Sequence, residues 1–222
     1  MVPGSRRVTG LMRLPAEQVR VLGCLVEKEA TTPQSYPLTL NALRLACNQS
    51  TNREPVMDLD DRQVEAALAA LRERGLVRVV YSSSNRVPKY RHVLDEAWEL
   101  DRAELAVLSV LSLRGPQTVG ELKSRTERQH TFVDLAEVQS ALDRLAVSRP
   151  EPLVVRLERR PGQKEVRYMV AFAEDADVRS GTAEPSGGPV VGLDELAAEV
   201  GRLRGDLDEL RTAFEAFRAS FE

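Results

Sequence analysis

Two clusters of cations are the residues in this sequence best suited to chemistry. Arg86, Lys89 and Arg91 fall within six positions, and Arg159, Arg160, Lys164 and Arg167 fall within nine. Side chains of this kind neutralise phosphates and give an affinity that falls with salt. Either cluster could equally be the ordinary surface charge of a solvated hairpin. A third group lies in the polar run from Asn48 to Pro55, where Asn48, Gln49, Asn52 and Arg53 offer amide and guanidinium donors to a nucleic acid or a protein partner. The same run could instead be a connecting loop. Its amides would then cap helix ends and Arg53 would pair with a carboxylate of the body, because such residues stabilise turns through the backbone.

Catalytic patterns are missing. There is no nucleophile elbow, no phosphate-binding glycine loop and no histidine-containing triad. The glycines and small residues of 187–192 precede an acidic helix, which has the wrong sign for phosphate. Two histidines, His92 and His130, and two cysteines, Cys24 and Cys47, are too few and too scattered for a metal site. The cysteines read as small buried hydrophobes in a reducing cytoplasm, where the protein is expected. A non-enzymatic chain with no cofactor and no metal is the expectation.

The elements that would position these residues follow from periodicity. Of 222 residues, 42% are hydrophobic and 29% charged, as in a soluble globular protein, and no apolar run is long enough to span a membrane. Pro15 to Glu29 reads as a helix with Val19, Leu22, Leu25 and Val26 inward, Thr31 to Pro37 as a loop, and Leu38 to Cys47 as a second helix. After the polar run, Asp60 and Gln63 make a capping box for a third helix. Its inward face is Val64, Ala67, Leu68 and Leu71, and Gly75 ends it. Leu76–Tyr81 and Lys89–Val93 then read as two strands around a loop at Ser82–Arg86.

The pattern restarts after His92. Asp101 with Glu104 caps a helix to Leu113, Thr118 with Glu121 a short one, and Asp134 with Glu137 a third. Leu153–Leu157 and Glu165–Val170 read as strands. This is an internal repeat. The sequence offset between copies is 86 at the first helix, 79 at the second and 74 at the third, so the first copy carries longer connections. The extra residues fall in Thr31–Pro37 and Asn48–Pro55. Three helices followed by a hairpin, twice over, is the order of two tandem winged-helix domains. The expected fold is therefore mainly α with small β-hairpins (α+β): a lead-in at 1–13, domains at 14–96 and 97–173, and a linker at 174–192.

The last segment, 193–221, carries apolar residues spaced three and four apart. Leu193, Val200, Leu207, Phe214 and Phe221 take one heptad position, and Leu196, Leu203, Leu210 and Phe217 the other. Glu199 and Asp206 would face Arg204 and Arg211 of a second chain only in a parallel arrangement. A parallel homodimeric coiled coil is expected, with folding back onto the body as the alternative. Charge also divides by segment. Residues 1–96 hold 14 Lys and Arg against 11 Asp and Glu, residues 97–173 hold 12 against 11, and residues 174–222 hold 5 against 12. The body is mildly basic and the acidity lies in the tail.

The runs Tyr36–Leu43 and Ala46–Val56, with Ala30–Tyr36 and Arg86–His92, resemble the signature of the YceH family of bacterial proteins. The resemblance covers roughly residues 13–173 and is most specific in the first copy. It implies tandem winged helices, often followed by a coiled segment, and no established activity.

Winged helices usually read DNA with the third helix. Here the residues expected outward on that helix are Asp61, Arg62, Glu65, Ala66, Ala69, Ala70 and Glu73 in the first copy. In the second they are Ala136, Glu137, Gln139, Ser140, Asp143 and Arg144. Both sets are poor in base-reading donors and carry carboxylates that phosphates repel. The leading expectation is a regulatory protein that contacts double-stranded DNA through its basic wings. The alternative is a protein-interaction module like the accessory subunit of bacterial condensin, with the alanine-rich helix face packing on a partner.

Overall fold

Capping residues set the limits of most helices. The computed structural model describes residues 13–82, 85–147, 151–159 and 165–174, without the side chains of 82, 85 and 86. Helix α1 spans Ala16–Thr31 and starts directly after Pro15. A single 3₁₀ turn at Pro33–Ser35 leads to strand β1, Leu38–Thr39, and helix α2, Leu40–Cys47, whose first turn is closed by the Thr39 hydroxyl accepting from the Ala42 N–H. Helix α3, Asp61–Glu73, carries the expected reciprocal cap between Asp60 and Gln63, and Gly75 takes a positive φ of 73° just beyond it. Strands β2, Val77–Ser82, and β3, Asn85–His92, complete the first copy, and the short helix α4, Leu94–Trp98, leads out of it.

The second copy repeats the order. Helices α5, Arg102–Arg114, and α6, Val119–Thr126, both open with reciprocal caps. Helix α7, Leu135–Ala146, is capped by Asp134, while the Glu137 carboxylate reaches one residue further back, to the Val133 N–H. Strands β4, Val154–Arg156, and β5, Tyr168–Val170, are shorter than the five- and six-residue runs expected. The first hairpin differs the other way. β3 begins at Asn85, opposite Ser82, so Ser82, Asn85 and Arg86 are strand where a loop was expected.

The first sheet has the order β1-β3-β2, all antiparallel, with Leu38 opposite Tyr90. Leu38 and Thr39, expected to be helical, are the edge strand instead. The second copy reduces the same feature to one bridge, Gln117 opposite Tyr168, beside the β4–β5 pair. Thr118 caps α6 as Thr39 caps α2, so the strand–cap–helix corner recurs at an offset of 79.

The two copies share one hydrophobic core. Each contributes its first helix to the junction. Eight consecutive residues of α1, Val19 to Val26, are buried, and α5 buries Ala106 to Leu111 without a break. A helix buried all round must be covered on both faces. Here one face meets the helix's own copy and the other meets the partner helix. Gly23 makes the close approach possible: a Cβ there would lie 2.9 Å from the Ser112 Cβ. Among the described residues no helix is long and apolar enough to cross a membrane.

Candidate functional site

The first hairpin places its cations in a defined register. Arg78 lies opposite Arg91, and Val80 opposite Lys89. Like charges facing each other across strands repel, and Glu96 on α4 relieves this pair. Its carboxylate is 2.7 Å from the Arg78 guanidinium and also bonds Arg91. Lys89 is half-exposed and has no ion-pair partner among the described residues. The backbone of Arg86 belongs to β3, while its side chain is outside the described set. Tyr81 and Val87, exposed at 77% and 54%, put apolar surface on the same hairpin.

In the second hairpin, Arg167 turns inward. Its guanidinium donates to the Pro116 carbonyl at 2.8 Å and to both Glu121 carboxylate oxygens at 2.7 and 3.2 Å. Burial pushes the Glu121 carboxyl up, but the Thr118 N–H and Arg167 outweigh it and leave the group below its ordinary value. Arg159 is exposed three residues beyond β4 and is engaged in a polar interaction. Arg160 and Lys164 lie outside the described residues, as do linker residues 175–192 and the heptad residues Leu193, Leu196, Val200, Leu203, Leu207, Leu210, Phe214, Phe217 and Phe221.

The third helices present the faces expected of them. Asp61, Arg62, Glu65, Ala66, Ala69 and Glu73 are exposed on α3, and Ala70 is half-buried. On α7 the two best base-reading candidates are occupied at home. Gln139 bonds the Tyr168 hydroxyl at 3.1 Å and Asp143 at 2.8 Å. Arg144 bridges Asp101 at 2.9 Å and Glu104 at 3.1 Å.

The connector is keyed into the core. The Arg53 guanidinium is fully buried and donates to Glu27 at 2.6 and 3.1 Å, to Gln49 Oε1 at 2.8 Å and to the Ala46 and Asn52 carbonyls at 3.0 and 2.9 Å. The Asn48 amide spans Leu59, donating to its carbonyl and accepting its N–H, both at 2.8 Å. Asn52 sits at φ 62°, a conformation asparagine tolerates better than most residues, and its side-chain oxygen accepts from Arg114. Gln49 and Asn52 also face outward, into a groove whose opposite wall belongs to the second copy.

Arg20 completes this region and carries no signal of its role in the sequence, since it lies off the inward stripe expected of α1. It is 1% exposed and donates to the Cys47 and Pro55 carbonyls at 2.9 and 2.5 Å. Arg20 and Arg53 together therefore bind the last carbonyls of α2, where a helix C-terminus attracts cations. Cys24 and Cys47 are free and buried beside them. Among the described residues no three His, Cys, Asp or Glu side chains gather as a metal site would require.

Comparison with known proteins gives a consistent family. Residues 14–163 match the model described as "Protein of unknown function, DUF480". A UPF0502 protein of Geobacter sulfurreducens is 48% identical over 213 residues, covering 92% of this chain and 96% of its own length. A UPF0502 protein of Klebsiella pneumoniae (strain 342) is 44% identical over 208 residues, covering 92% and 95%. The UPF0502 protein YceH of Salmonella paratyphi C is 44% identical over 205 residues, covering 89% and 95%.

Proposed function

The chain belongs to the DUF480 family and is similar to UPF0502 proteins over most of its length, and from that premise we propose that it is a non-enzymatic, tandem winged-helix protein that binds double-stranded DNA. The observation that carries this reading is the sheet order β1-β3-β2 around three helices. That order is the connectivity of a winged helix, and the Gln117–Tyr168 bridge repeats it in the second copy. The phosphate contacts are assigned to the first hairpin, through Lys89 and Arg86. Arg91 and Arg167 are held by carboxylates and contribute less. The C-terminal heptads would pair two chains in parallel and double the surface offered to DNA.

A second reading has its own support. Tyr81 and Val87 expose apolar surface on the hairpin, and Ala66 and Ala69 leave α3 smooth enough for close packing. Both suit a protein partner better than a phosphate backbone.

Fluorescence anisotropy of a labelled duplex with the full-length protein tests the first reading. The logarithm of the association constant should fall linearly with the logarithm of salt concentration. Replacing Arg86 and Lys89 with Glu should lower that slope by about two, roughly one for each phosphate contact. A duplex that shows no salt-dependent binding at low salt removes DNA from the reading and leaves the protein-partner surface.

A further inference from the structure

The groove between the two copies is lined by cations that the DNA reading does not use. One wall is the connector, with Gln49 and Asn52, and the end of α1. The other is the last turn of α6 and the residues after it, and Val110 and Leu113 of α5 lie between the two. Among the described residues its cations are Lys28, Arg114, Arg125 and Arg128, against a single carboxylate, Glu27. That carboxylate is already shared by Arg53 at 2.6 Å and Lys28 at 3.2 Å.

Two of the three remaining guanidiniums bond neutral oxygens. Arg114 bonds the Asn52 side chain and Arg125 the Gln117 side chain. Arg125 reaches a carboxylate only at 3.8 Å, on Glu121, which Arg167 holds more closely. Arg128 is exposed and has no ion-pair partner among the described residues. Arg114 and Arg125 line a second, adjoining groove as well, together with Asn52 and Arg167. Burial, then the charges of Arg125 and Arg53, hold the Arg114 guanidinium below its ordinary value, so these cations already repel one another.

We propose that this groove binds a small ligand bearing two or more linked phosphates, held by Arg114, Arg125 and Arg128. Guanidinium forks match phosphate oxygens, and several of them around one pocket call for an anion of high charge density. The groove's volume, 530 Å³, is that of a small-molecule site. It is far too small to admit a duplex. Among the described residues no aromatic side chain lines it, so recognition falls on the phosphates and not on a stacked base. The proposal does not rest on DNA binding.

Calorimetric titration of the full chain with tripolyphosphate is the test, with citrate as a carboxylate control and a saturating duplex as a competitor. One saturable site per chain is expected, together with a rise in thermal midpoint. Arg128→Gln, an exposed change, should weaken binding about 10-fold or more without altering the unliganded midpoint, and Arg114→Gln should weaken binding by a similar factor. Circular dichroism checks that the Arg114 variant is folded. No binding at low salt, equal binding of citrate, or unchanged affinity in Arg128→Gln overturns the proposal. Displacement by duplex also overturns it, because the groove would then belong to the DNA surface. A duplex that fails to bind at all removes the DNA reading and leaves this one standing.

Discussion

Replacing Arg53 with methionine keeps most of the side-chain volume and removes every polar contact it makes. The side chain is 0% exposed and its partner Glu27 13% exposed, with contacts of 2.6 and 3.1 Å between them. Removing one member of a buried pair strands the other, at a cost of about 3–5 kcal/mol. Lys28, 3.2 Å from the same carboxylate, keeps a partial partner, so the lower part of that range is expected. Urea unfolding followed by far-ultraviolet circular dichroism measures it. The double change Arg53→Met/Glu27→Met should cost clearly less than the sum of the singles, with a coupling of about 2 kcal/mol. The pH dependence follows from the carboxyl. Burial pushes Glu27 up, and Arg53 more than reverses this, leaving it below the ordinary value. A lowered folded value means that the contribution is complete above the unfolded carboxyl value, about 4.3, and fades as pH falls through the folded one. Arg53→Met should therefore flatten the acid side of the stability profile. A loss under about 1 kcal/mol with no coupling would reduce this contact to an exposed ion pair and refute the reasoning.

Gly23→Ala gains up to about 1 kcal/mol of helix propensity, yet its new carbon meets Ser112 at 2.9 Å, so overpacking should leave a net loss of about 1–2 kcal/mol in urea unfolding; a stabilised variant would mean that α1 and α5 can separate freely. Asn48→Ala leaves both polar groups of Leu59 without their partner and should cost about 1–3 kcal/mol by the same measurement, whereas a neutral result would show that water replaces the amide. Light-scattering mass of the full chain against one ending at Gly181 should fall from dimer to monomer, and equal monomeric masses would exclude the parallel coil.

The most readable parts of the sequence were those governed by local rules. Asp60 with Gln63, Asp101 with Glu104 and Thr118 with Glu121 name their helix starts because each cap closes within three residues. The strand at Leu38–Thr39 could not be read this way. It is two residues long and is defined by a partner at Lys89–Tyr90, about fifty positions later. The periodic stripes of α1 and α5 showed one inward face each. Their second faces are buried only because the copies pack through them, and nothing local reports that. At the candidate site, the wing cations were visible as clusters, but their carboxylate partners were not. Glu96 neutralises Arg91 from a helix too short to register, and Glu121 reaches Arg167 from 46 positions away. The groove's Arg114 and Asn52 are 62 positions apart and meet only in three dimensions.

The two readings of the connector are compatible because different residues serve them. The sequence offsets between copies place extra residues between α2 and α3 of the first copy only. Those residues leave their own copy: the Glu54 N–H donates to the Leu113 carbonyl of α5 at 2.8 Å, and Asn52 accepts from Arg114. The insertion is thus one means by which two similar units become one asymmetric body. Arg53 and Asn48 point inward and hold it there. Gln49 and Asn52, on the other side of the same turn, form a wall of the cationic groove. Stability and binding should therefore separate by residue. Arg53→Met should lower the unfolding midpoint whatever the ligand, and Arg128→Gln should leave that midpoint alone while losing the anion. Were both changes to move both properties together, the connector would act as a single rigid plug, and the division of its two faces would be wrong.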